Sequence, residues 1–210
     1  MKSDVIQIYG DLTGSEKTIQ AAEKFIQYNN FTGKNAMHIR LLTEELVSMV
    51  HGIMDHFKGD LWFESEPDEE GVLCRICLST FKSVNEQQEE QFLSVASSGK
   101  NENAKGILGK IREAFRVSTM YSTGGSYMNE YAAANYWYNL GAYSGDLTAS
   151  AMGTQYWSLQ NYRSNLPSEQ SAGEAWDELE KSIVAKLADD VKVWLKTDTT
   201  EVVIEKKIKQ

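Results

Sequence analysis

Four polar residues at helical spacing hold the clearest potential for chemistry in this chain. Glu44, Ser48, His51 and Asp55 follow one another at intervals of four, three and four, with Glu45 and Gly52 beside them. That spacing stacks the row along one face of an α-helix. A polar row of this kind, with acidic, hydroxyl and imidazole groups in line, is a candidate site. The same row also fits a plain solvated face, since polar residues opposite an apolar stripe are the rule. Cys74-Arg-Ile-Cys77 has the spacing of a zinc or redox motif, but on a strand positions three apart point to opposite sides. With no second Cys pair or nearby His to complete four ligands, it reads as two small strand residues. The three histidines are His38, His51 and His56. His51 and His56 are five apart and diverge on a helix, where a zinc pair needs spacing four. There is no Gly-x-Ser-x-Gly and no Walker-type loop, which leaves serine-hydrolase and P-loop chemistry without support.

The elements that must position this row follow from periodicity. Val5 to Tyr9 reads as a strand, closed by Gly10-Asp11 and Thr13-Gly14. A helix capped at Ser15 or Thr18 then runs to Asn29-Asn30. The row itself lies on a longer helix, from Lys34 or Asn35 to about Phe57. Its apolar stripe is Ile39, Leu42, Leu46, Met49, Val50, Ile53 and Phe57. Residues 60–65 and 72–80 read as a hairpin of strands about Glu66 to Gly71. Helices are expected over 86–97, 103–117 and Glu174 to Leu187, and a closing hairpin over 191–195 and 201–208. The order predicts an α+β fold, a two-layer α/β sandwich whose mixed, mostly antiparallel sheet carries helices on one face.

Ile39-Arg-Leu-Leu-Thr-Glu-Glu-Leu-Val-Ser-Met-Val-His resembles the first nucleotide-binding helix of the histidine-kinase-type ATPases, the Bergerat (GHKL) family. Its closest look is to the compact anti-sigma-factor kinase branch. The opening strand and helix from Val5, and the final helix and hairpin over 179–207, resemble that family in the same order. The resemblance implies a Bergerat-like scaffold formed by 1–80 and 174–208. It also implies ATP and magnesium as cofactors, with Glu44 or Glu45 orienting a water or metal, Ser48 and His51 beside them, and Lys82 as a phosphate contact. The family follows its Glu by an Asn four residues on, which ligates magnesium. Here that place holds Met49 if Glu45 is the counterpart, or Ser48 if Glu44 is. The Asp-x-Gly-x-Gly expected after the middle hairpin is replaced by Ser79-Thr-Phe-Lys-Ser-Val. The resemblance therefore implies a degenerate, regulatory member with ATP binding weakened or lost. The alternatives are an active anti-sigma-type protein kinase and a non-catalytic interaction module.

Composition adds one further feature. The 210 residues carry a net charge of -9 with 24 % charged residues. Yet eight of the ten Tyr lie between Tyr121 and Tyr162, where the only charges are Glu130 and Asp146. We read this as an aromatic, low-charge insertion at about 119–165 in a single domain, and expect it to meet a protein partner. The acidic balance argues against nucleic acid, which demands a basic stripe. No apolar run approaches the ~20 residues of a membrane span, and the chain does not open on a secretory signal. A cytoplasmic protein without membrane or nucleic-acid partners is the expectation.

Overall fold

The computed structural model describes residues 1–50, 58–81, 107, 109–111, 155–166, 173–195 and 199–209. The described elements are, in order, β1 (Ile6–Tyr9), α1 (Ser15–Tyr28), α2 (Gly33–Val50), β2 (Lys58–Asp68) and β3 (Gly71–Phe81). After helical residues 107 and 109–111 come β4 (Gln155–Ser158), α3 (Leu159–Asn165), α4 (Gly173–Lys181), α5 (Ile183–Leu187), β5 (Asp190–Leu195) and β6 (Thr199–Lys209).

Strict alternation makes β2 and β3 strands. Leu61, Phe63 and Ser65 are buried against Cys74, Ile76 and Leu78, while Glu64 and Arg75 pair on the other side. The ladder continues through the expected turn as far as Asp68↔Gly71, leaving only Glu69 and Glu70 at the tip. Pro67 fits because the N-terminal segment pairs along β2 only as far as Ser65, whose N–H donates to the Met1 carbonyl at 2.8 Å, and an edge tolerates a residue without an N–H.

The strand order is β1-β2-β3-β6-β5-β4, in one open sheet. Every described pairing is antiparallel, which corrects the expectation of a mixed sheet. The inward residues of the sheet and the apolar stripes of α1, α2, α3 and α5 form a single buried cluster, so the fold is α+β with helices packed on one sheet face.

Local chemistry alters two expected boundaries. At the start of α1 neither Ser15 nor Thr18 caps the helix. Gly14 holds the cap position at φ 94° with no side-chain bond, and the Thr18 hydroxyl instead donates to the Gly14 carbonyl at 3.1 Å. A Cβ at Gly14 would collide with the Gln7 carbonyl. The expected single helix over 174–187 is two helices. Ser182 is extended, and its hydroxyl accepts the Ala185 N–H at 3.2 Å, so the side chain opens a new helix where the old one ends.

The aromatic stretch contributes to this core at its C-terminal end. Trp157 and Tyr162 are 1 % and 3 % exposed, with ring centroids 6.2 Å apart. The rest of the stretch, like the helix expected over 86–97 and residues 51–57 of the long helix, lies outside the described residues.

Replacing Trp157 by Ala should lower the unfolding free energy by about 3–5 kcal/mol, read by urea titration. A loss under about 1 kcal/mol would mean the ring is not a core residue. Gly14→Ala should also destabilise, because it adds both a left-handed penalty and the collision with Gln7.

Candidate functional site

α2 is helical because its apolar residues recur on one side. Ala36, Ile39, Leu42, Leu46, Val47 and Met49 are all buried, and the Thr43 hydroxyl, also buried, donates back to the Ile39 carbonyl at 2.7 Å. Arg40 ties the helix to α1 through the Glu23 carboxylate, with a second contact at 2.8 Å. This pair lowers the Glu23 pKa and raises that of Arg40.

The predicted carboxylates occupy the second half of this helix, in unlike settings. Glu44 and Ser48 are exposed, whereas Glu45 is half-buried. Burial pushes the Glu45 carboxyl up, and the Glu44 charge beside it pushes it further. A carboxyl shifted this way is the kind of group that functional sites collect. Four residues beyond Glu45, Met49 is 1 % exposed and packs in the core. His51 and Lys82, like Asp55 and His56, lie outside the described residues. Of the five predicted site residues, the structure therefore places three, all on α2. Among the described residues no group of three His, Cys, Asp or Glu side chains is arranged to hold a metal ion.

Two further polar residues lie at one end of the sheet. The inward row Gly59–Thr80–Thr200 crosses β2, β3 and β6. Phe81 ends β3 there, Thr199 begins β6 opposite it, and the chain leaving α2 enters β2 at Lys58. The Thr80 hydroxyl donates to the Lys58 carbonyl at 2.7 Å. Thr200 is 0 % exposed, yet its hydroxyl has no hydrogen-bond partner among the described residues. A buried hydroxyl left unpaired is costly. Sequence reasoning passed over it, although the signal was available: Thr200 shares the period-two face of Val202 and Ile204. At the other end of α2, the His38 Nδ1 is likewise buried without a partner among the described residues. Burial, then the charges of Lys206 and Lys34, hold its pKa below the ordinary value.

The opposite sheet face is a chain of ion pairs. Lys2 lies 4.5 Å above the Trp62 ring and 3.1 Å from Glu64. Arg75 reaches Glu66 at 2.6 Å and Glu205 at 3.4 Å, and Lys192 meets Glu205 at 2.7 Å. Cys74 faces the helices while Cys77 faces this charged side, as their pairing partners Ser65 and Trp62 require. Burial pushes both thiols up to about 12, so they stay protonated and unreactive at neutral pH.

No family model, curated protein or solved structure matches this chain. Among the described residues no helix is long and apolar enough to cross a membrane.

Glu45 gives a signed test. Its native pKa lies above the ordinary 4.5, so the stability it contributes is whole below that value and is lost as pH rises through the raised one. Glu45→Gln should therefore be more stable than the parent at pH 7, by less than about 1 kcal/mol, and equal to it at pH 4. A variant weaker at pH 7 would show that a native partner holds the Glu45 charge.

Proposed function

We propose that this protein is a degenerate relative of the histidine-kinase-type ATPases, a cytoplasmic regulatory protein that acts through a protein partner and binds ATP weakly or not at all. The observation that carries the reading is the pair Glu45 and Met49. Glu45 is the half-buried carboxyl on the helix that resembles the family's first nucleotide-binding helix. Met49 stands where the family's magnesium-ligating Asn would be, and its side chain belongs to the hydrophobic core. A thioether so buried supplies no hard oxygen ligand, which magnesium requires. Taking Glu44 as the counterpart instead puts the exposed Ser48 in that place, a weaker ligand than an amide.

The order of elements supports the Bergerat-like part of the reading: a strand, two helices, an antiparallel hairpin, then further helices and a closing hairpin, with β4 added at the sheet edge and the helices on one sheet face. The described residues do not fit a magnesium site. Glu45 could still position a water beside a weakly held nucleotide. Weak binding without turnover is what this combination supports.

The test is thermal unfolding with ATP. At 5 mM ATP, about five times a millimolar Kd, stabilisation is of order 1 kcal/mol. That corresponds to a shift of at most about 2–4 °C for a chain of this size, the same with and without magnesium, and to no shift where binding is lost. A magnesium-dependent shift that keeps growing with the logarithm of ATP concentration would overturn the proposal in favour of an active ATPase or kinase.

A further inference from the structure

Ser182 terminates one helix and starts another. Its N–H donates to the Glu178 and Leu179 carbonyls at 3.1 and 3.3 Å, closing α4, while its carbonyl accepts the Lys186 N–H at 3.1 Å, opening α5. With its own backbone extended at φ −81°, ψ 123°, the chain can turn there without unwinding either helix.

The two helices are held in different ways. Val184 and Ala185 of α5 are buried, α5 packs on α2, and the Arg163 guanidinium donates to the Ala185 carbonyl. α4 instead places Leu179 in the core, leans Trp176 against it, and sets the buried Glu178 Oε2 3.3 Å from the Lys110 ammonium. Lys110 itself is an internal cation, with its side chain 19 % exposed. It donates to the Tyr162 hydroxyl at 3.0 Å and lies 4.9 Å over that ring. Burial alone would depress its pKa, but Tyr162 and Glu178 more than offset this and raise it. The ammonium therefore stays charged at neutral pH.

We propose that α4 is an arm hinged at Ser182 and latched to the core by Lys110, which keeps its hydrogen bond to Tyr162 whether or not Glu178 is engaged. Latched, α4 lies docked; unlatched, it swings while α5 stays on α2. Lys110 precedes the uncharged aromatic stretch in the chain and Tyr162 is its last ring. This device is independent of the nucleotide reading, and its test needs no ligand.

Hydrogen exchange by mass spectrometry on the full chain separates the two helices. In 1 M salt, where the Debye length falls to ~3 Å, the α4 amides should exchange about fivefold faster, while those of α5, α2 and β3 keep their rates. Lys110→Met and Glu178→Gln should reproduce that acceleration at low salt and abolish the further effect of salt. Glu178→Gln leaves Lys110 on Tyr162, so it carries the test should Lys110→Met fail to fold. Acceleration of α4 and α5 together, or α4 rates indifferent to Glu178→Gln, would overturn the proposal.

Discussion

One row of side chains crosses all six strands: Ile6, Leu61, Leu78, Val202, Val193 and Trp157, each the registered partner of the next. All but Ile6 are buried, and the helices pack on this row and its neighbours. A one-residue slip of β2, β3 or β6 would turn Glu64, Arg75 or Glu205 into the core and expose that strand's apolar residues. The penalty for burying those charges unpaired far exceeds what their exposed pairings contribute. The register is thus fixed by the contrast between the faces. The ion pairs on the outer face add little stability individually, but the stems of Lys2 and Arg75 lie across that face, where Cys77 and Val203 are 3 % and 8 % exposed.

Because that constraint is written in period-two alternation, β2, β3, β5 and β6 are legible in the amino-acid sequence, and so is the α2 stripe through Met49. The parts that are not legible depend on single side chains acting against the periodic signal. The stripe Trp176, Leu179, Ile183, Val184 and Leu187 argues for one helix, but the Ser182 hydroxyl competes for the Ala185 N–H and splits it. At α1 the sequence offers Ser15 as a cap, yet the close approach of Gln7 requires Gly14 at positive φ. The aromatic richness after Tyr121 suggests an addition to the fold. Trp157 and Tyr162 are nonetheless core residues, because Val193 needs a partner across β4, and composition does not encode which strand will be its neighbour.

The candidate site shows the same division. A row at spacings of four and three places Glu44 and Ser48 on one exposed face, and both are in solvent. Spacing alone does not reveal that Glu45, one step round the helix, is the carboxyl whose proton burial favours. Nor does it show that the buried Thr200 hydroxyl lacks a partner among the described residues, which depends on its neighbours on β3 and β5 rather than on any one segment. The two neighbours on α2 thus differ in what burial does to them: Met49 is taken into the hydrophobic core, while Glu45 stays half-buried with its carboxyl pushed toward the protonated form.

Titration of the 15N-labelled protein with ATP, followed through backbone amide shifts, tests this account most directly. The expected result is small, fast-exchange shifts in the second half of α2, half-saturated only near a millimolar and unchanged by magnesium, or no shifts where binding is lost. Saturation at micromolar ATP with magnesium required, or shifts confined to other parts of the sheet, would contradict it.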